Sequence, residues 1–346
     1  MFSEKHVKLA DFFIKGNAEL RTALGLGESS CLEAVPLGSG EHNVNFLLLA
    51  DGRDLKRVLR VNLGTQTGNE HQVAYEASAL KALEPSMRVP RVFFVDDTKR
   101  RISHGVMVIE FRQGVWLDYG NAAAMEEAAR IMADVHAVEP ACDCPIKRAD
   151  DPLQAYFNVC NAFYRNYLAS PYADPMVTGY VDEFFAHAKR ALETPHDAHD
   201  DAHILNTEPL SSQFLIPEEK DAGSLIDWEK PVLGEVAQDV AYFLSPTSTI
   251  WDTDYVLNAA EREKFVGDYW RAVGGRFPQG RFEERLSAYV KMTCLLAITW
   301  SCNAVVEYND PARELKTERT KRLLPVYLSE EYLANLLDNW FNAPVG

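Results

Sequence analysis

Residues 203–216, HILNTEPLSSQFLI, and 224–230, SLIDWEK, place a carboxylate (Glu208), an amide (Gln213) and a second carboxylate (Asp227) around one expected β-hairpin. Phosphoryl transfer from a metal–nucleotide asks little covalent chemistry of a protein. It asks for a carboxylate that orients or deprotonates the acceptor hydroxyl, and for oxygen ligands to the magnesium that bridges the phosphates. From consecutive loop ends, Glu208 suits the first task, and Gln213 and Asp227 suit the second. A polar hairpin with ordinary turn residues is the plainer reading of the same letters.

Upstream, residues 33–63 read EAVPLGSGEHNVNFLLLADGRDLKRVLRVNL. Val44, Phe46 and Leu48 alternate with other residues, ADGRD is a turn, and Lys56 to Asn62 forms the returning strand. One or two amphipathic helices precede this stretch, up to about Leu26. A helix through Tyr75 and Glu76 follows, then strands at Arg91–Val95 and Gly105–Phe111. Three strands, a helix and two strands suit a small antiparallel sheet with one packed helix. Beyond Gly114 the chain turns helical. Ala122–Val138, Ala155–Tyr167, Tyr180–Leu192, Ala259–Val273, Phe282–Val306 and Ser329–Trp340 carry helical patterns around the central hairpin. The expected fold is α+β and two-lobed. Residues 1–113 make a nucleotide-binding lobe with a helical extension over about 1–26, and residues 114–346 make a catalytic and acceptor-binding lobe.

Chemistry-bearing residues recur along the first lobe. Glycines in Gly38-Ser39-Gly40 let backbone amides approach phosphate oxygens closely, although tight turns use the same letters. Arg60 in VLRV is a candidate phosphate contact, with Glu76 on the next helix as its partner; a surface Arg and a solvated helix Glu are the alternative. Glu110 and Phe111, in EFRQG, stand where a hinge backbone would meet an adenine edge, or simply where two domains are linked.

PLGSGEHN, VLRV, the helix with Glu76, VMVIEF, ARIMADVHAVEP, HILNTEPLSSQFLI and SLIDWEKPVLGEVAQDVAYFL occur in that order. Together, over roughly residues 30–245, they resemble the aminoglycoside phosphotransferase and choline kinase superfamily of small-molecule kinases. The resemblance implies a protein-kinase-like fold. It also implies that Gly40 and Asn43 cover phosphates, that Arg60 takes the phosphate-binding cation position with Glu76 as partner, and that Asp227 is the metal-binding aspartate. Asp239 would brace the catalytic loop from a buried position. The family's loop normally reads His-Gly-Asp, then Asn five residues after the Asp; here Asn206-Thr207-Glu208 and Gln213 stand there. Both changes keep the functional group and lengthen its arm by one methylene. A misplacement of about 1 Å can cost on the order of a hundredfold in rate. Arg in place of Lys presents a planar, bidentate fork to phosphate.

Composition bounds the rest. The hydrophobic fraction of 47% and charged fraction of 25% are those of an ordinary globular protein. A formal charge of −16 argues against nucleic acid, which is bound by neutralising phosphates, and suits a cationic small molecule. The six cysteines lack the paired spacing of a structural zinc site. No apolar run is expected to reach the roughly 20 residues of a membrane span, and the charged N-terminal stretch suggests a cytoplasmic protein. HDAHDDAH (196–203) reads as a solvated linker rather than a metal site. Glu229, Trp251, Asp252, Asp254 and Tyr255, with Trp300, Asn303 and Glu307 at one-turn spacing, have the aromatic faces and carboxylates of an amine- or sugar-binding pocket; core tryptophans and surface acids are the alternative. The expected activity is transfer of the ATP γ-phosphoryl group to a small-molecule hydroxyl, assisted by Mg2+. A nucleotide- or metabolite-binding pseudokinase is the main rival. A protein kinase ranks below it, because no long activation segment separates Asp227 from Gly234.

Overall fold

In a computed structural model of the chain, residues 3–40, 42–65, 68–195, 203–217, 222–311 and 316–342 are described. They form two compact units. The first comprises residues 1–115, 140–146 and 215–231; the second comprises 116–139, 147–214 and 232–346.

The first unit opens with α1 (Glu4–Ile14), whose N-terminus is closed by Ser3 and His6 in a reciprocal capping box, and α2 (Ala18–Ala23). Five strands follow: β1 (Leu32–Ser39), β2 (Asn43–Ala50), β3 (Arg53–Asn62), β4 (Val92–Asp96) and β5 (Val106–Glu110). They form one antiparallel sheet in the order β1-β2-β3-β5-β4. Pro36 is tolerated because β1 is an edge strand, and the register shifts just after it. Val44, Phe46 and Leu48 point into a core shared with Phe13, Ile14, Leu59, Val106 and Val108. This is the alternation of a half-buried strand. Helix α3 (Gln72–Leu83) buries Val73, Ala77, Leu80 and Leu83, and packs against β4. Glu76 sits on that same buried stripe, so α3 carries a carboxylate into the interior. The connection out of the sheet requires glycine at 114. A Cβ there would lie 2.9 Å from the Ile216 carbonyl oxygen and the Leu215 carbonyl carbon, which are backbone atoms unable to give way.

The second unit is helical: α4 (Ala122–His136), α5 (Pro152–Leu168), α6 (Pro175–Ala191), α7 (Val236–Leu244), α8 (Pro246–Asp252), α9 (Ala259–Val273), α10 (Phe282–Asn309), α11 (Glu318–Tyr327) and α12 (Glu330–Leu336). The centre is α10, packed on α5, α7, α6 and α8, while α4 pairs with α9. By length and composition α10 could cross a membrane, with a mean hydropathy of 1.3 over its most apolar window. The expectation that no apolar run reaches that length is therefore corrected. The reason is that 67% of that window is buried in the unit's own core. His203–Leu205 pairs antiparallel with Val232–Gly234, so the strand before Glu208 has its partner beyond Asp227. This differs from one simple hairpin carrying all three polar groups. Residues 196–202 of the His/Asp run lie outside the described residues.

Candidate active site

In the first unit, Arg60 is the centre. It lies on β3 opposite Asn45 and Met107, 7% exposed. Nη2 donates to Asp227 Oδ1 and to Glu229 Oε1, each at 2.6 Å, and Nη1 lies 3.2 Å from Glu76 Oε1. Nε is buried and has no hydrogen-bond partner among the described residues. Burial opposes the Arg60 charge, but the Glu76, Asp227 and Glu229 carboxylates outweigh it and hold the guanidinium above its ordinary pKa. One cation cannot satisfy three acids. Burial pushes the Glu76 carboxyl up despite Arg60, and burial with Asp227 beside it does the same to Glu229.

The loop carrying Asp227 is held in the first unit from several sides. Asn43, 3% exposed, donates Nδ2 to Glu229 Oε1 and accepts Asn62 Nδ2 at 3.0 Å. Gln72 Nε2 donates to the Glu229 carbonyl, and Tyr75 Oη to the Pro231 carbonyl at 2.7 Å. Asp227 itself has φ of 66°, left-handed for a residue with a Cβ, and such strain gathers at functional sites. Glu229, read from sequence as an acceptor contact, thus joins the Arg60 cluster instead. Asn62, Gln72 and Tyr75 escaped sequence reasoning. Their partners lie 150 residues or more away along the chain in two of the three cases, and no local spacing signals that.

Gly38 and Gly40 border the β1–β2 turn. Gly40 N–H donates to the Asn43 carbonyl at 2.9 Å, and a Cβ at either glycine would meet nothing within 4 Å. The backbone of the turn is therefore open to a close approach. At the end of β5 the expected hinge amides are already engaged. Glu110 N–H donates to the Arg91 carbonyl at 2.8 Å and Phe111 N–H to the Lys56 carbonyl at 3.0 Å. The Glu110 carboxylate pairs with Arg112 Nε at 3.2 Å.

In the second unit, Asp239 on α7 is fully buried and accepts the Asn206 and Thr207 N–H groups, both at 2.8 Å. His136 Nε2 stands 3.3 Å from the same carboxylate, and His136 Nδ1 lies 2.9 Å from Tyr269 Oη. Asp239 thereby fixes the loop that presents the half-buried Glu208. Thr207 pays in strain, with φ of 76°. Gln213 ends the turn Ser211–Gln213 and folds back on it, its Oε1 accepting Leu210 N–H at 3.2 Å. Trp251 and Trp300 meet edge to face with centroids 5.3 Å apart, and Tyr327 lies against Trp251. Both oxygens of Asp252 are engaged within the protein, one by Ser212 N–H and the other by Arg319. Glu307 is exposed and accepts Asn303 Nδ2 at 2.7 Å; Asp254 is exposed.

The sequence model of the phosphotransferase enzyme family matches residues 33–283. The chain resembles an ethanolamine kinase of Plasmodium vivax at 13% identity over 96% of this chain and 90% of that chain, with a TM-score of 0.63. It also resembles a choline kinase of Cryptosporidium parvum at 16% identity, covering 99% and 98% of the two chains with a TM-score of 0.61. A third likeness, at 10% identity, is to a spectinomycin phosphotransferase in complex with ADP and spectinomycin, covering 87% and 93% with a TM-score of 0.57. At these identities the likenesses show the two-lobed kinase-like fold. No curated protein sequence matches the chain.

Proposed function

The chain belongs to the phosphotransferase enzyme family, and from that membership we propose that it transfers the γ-phosphoryl group of ATP to a hydroxyl of a small molecule, with magnesium. The observation that carries this reading is the Arg60 cluster. A buried guanidinium retains one N–H without a partner among the described residues, on the strand next to the one that begins at Asn43, and Gly38 and Gly40 before it leave their backbone open. Arg60, held by Glu76, steadies the phosphates, and Gly38, Gly40 and Asn43 shape the turn over them. Glu110 and Phe111 contribute to the adenine side through groups other than their N–H.

Asp227 and Gln213 offer magnesium oxygen atoms only, the donors this hard cation prefers. Among the described residues no group of three or more His, Cys, Asp or Glu is arranged to hold a metal by itself. That suits an ion carried largely by substrate phosphates with one or two protein carboxylates. When bound, it neutralises charge on the phosphates. In the transfer, the acceptor oxygen bonds to the γ-phosphorus as the bond to the bridging oxygen breaks. The hydroxyl proton passes to the Glu208 carboxylate, and ADP leaves. Overall charge and the Trp251–Trp300 pair support an acceptor bearing an amine or a sugar; a cytoplasmic location accords with a supply of ATP.

Calorimetric titration with ATP, with and without magnesium, tests the nucleotide side: binding that magnesium strengthens in the wild type and not in Asp227→Ala is expected. Equal magnesium dependence in both proteins would sink the assignment of Asp227. On the acceptor side, Glu208→Gln should cut acceptor-dependent ADP release by about 10²–10⁴-fold, the usual worth of a general base. Absence of any release by the wild type across hydroxylated amines and sugars would favour the binding-module reading.

A further inference from the structure

The turn that carries Gln213 is held by a carboxylate that sequence alone assigns to the acceptor. Asp252, the last residue of α8, has 4% of its side chain exposed. Its Oδ2 accepts Ser212 N–H at 3.0 Å and Ser211 Oγ at 3.4 Å. Its Oδ1 accepts Arg319 Nη1, from the first turn of α11, at 2.5 Å. A three-residue helical turn cannot satisfy its own leading N–H groups, and Asp252 accepts one of them, Ser212 N–H, together with the Ser211 hydroxyl. Inside the turn, Leu210 N–H takes one of the two lone pairs on Gln213 Oε1 and fixes where the other points.

Gln has one more side-chain torsion to freeze than the Asn usual at this place in the family. A neutral amide oxygen is also a weak ligand beside carboxylates. It contributes to holding a cation only if its direction is set beforehand, by the atoms around it. We propose that Asp252, backed by Arg319, is a positioning residue that presents the Gln213 amide oxygen to magnesium. This rests on the reading of Gln213 as a metal ligand. It gives α11 a part in the chemistry although α11 carries none of the reacting groups.

The test is binding of ATP to the full chain by calorimetry, in EDTA and in saturating magnesium, alongside thermal melts. The proteins are wild type, Gln213→Ala, Asp252→Ala, the double variant, Ser211→Ala and Arg319→Gln. Gln213→Ala and Asp252→Ala should each weaken ATP binding in magnesium by about tenfold or more, the usual cost of losing a ligand's support, and leave binding in EDTA within about twofold. The double variant should be no weaker than Gln213→Ala alone, which a merely structural Asp252 would not produce. Ser211→Ala and Arg319→Gln should shift the magnesium-dependent term in the same direction, and they carry the test if Asp252→Ala does not fold. Equal weakening in EDTA and magnesium, full additivity, or no effect of these variants while Gln213→Ala has one, overturns the inference. No effect of Gln213→Ala itself overturns the ligand reading beneath it.

Discussion

Thr207 occupies the position where the family's loop carries glycine, and it holds a left-handed φ of 76°. For a β-branched residue that conformation costs about 1–2 kcal/mol. The two N–H bonds that Asn206 and Thr207 make to Asp239 repay it. Thr207→Gly should relieve the strain but add unfolded-chain entropy, leaving a net stabilisation of about 0.5–1 kcal/mol. A thermal midpoint raised by a few degrees checks this, and a lowered one would show that the threonine side chain does something other than tolerate the turn. Contacts of the candidate site were legible at this scale where a residue type is rare for its setting. Arg60 amid VLRV is buried, and it pairs with Asp227 of IDWE. The assignments of Glu229 and Asp252 to the acceptor were not sound guides to their contacts, because a carboxylate near a tryptophan in sequence carries no record of the arginine that claims it in space. Arg60 and Arg319 lie 169 and 67 residues from these two acids.

Elements were legible in proportion to the chemistry at their ends. The expected Ala259–Val273 helix is the observed α9, bracketed by an Asn258–Glu261 capping box and Gly274 in the left-handed region. The seven residues of α8, PTSTIWD, are too few to show a helical period, and from sequence the segment offers only aromatic and acidic pocket candidates such as Trp251 and Asp252. At the strand that leads to Glu208, His203 lies over Phe277 with ring centroids 4.4 Å apart, its Nδ1 2.6 Å from the His136 carbonyl. Burial pushes its imidazole down to about 4, outweighing that carbonyl. The unfolded chain, titrating near 6.5, therefore binds more protons than the folded one between about pH 6.5 and 4. The stability His203 contributes is complete above this window and is lost as pH falls through it. His203→Gln keeps a donor for the carbonyl and cannot titrate. Denaturant melts should show the wild type losing ground to this variant from pH 7 to pH 4, by at most about 1.4 kcal/mol per pH unit; a constant difference would refute it.

At the scale of the molecule, sequence suggested a change of character near residue 114, and the chain does become helical there. Which later segments pack with the sheet was not legible, since that depends on long-range pairs such as Arg60 with Asp227. Residues 140–146 and 215–231 cluster with the first unit. The practical consequence is that residues 1–114 are not a self-sufficient piece. Without 215–231, the Arg60 charge keeps Glu76 and loses Asp227 and Glu229, and Asn43 loses its carboxylate. Expressed alone, this fragment should lack a cooperative melt and dispersed amide resonances; a sharp transition would show that the sheet and α3 suffice.

Among the described residues, helix α10 is long and apolar enough by composition to cross a membrane, and the helices it packs on most, α5, α7 and α6, all precede it. During synthesis its 28 residues emerge over roughly 1–6 s at typical elongation rates. By then the surfaces that receive it have already left the ribosome. The order of the helices along the chain thus shortens the interval in which so apolar a segment stands uncovered in water, and leaves α11 and α12, with buried Leu324, Tyr327, Leu333 and Leu336, to complete the second core after it.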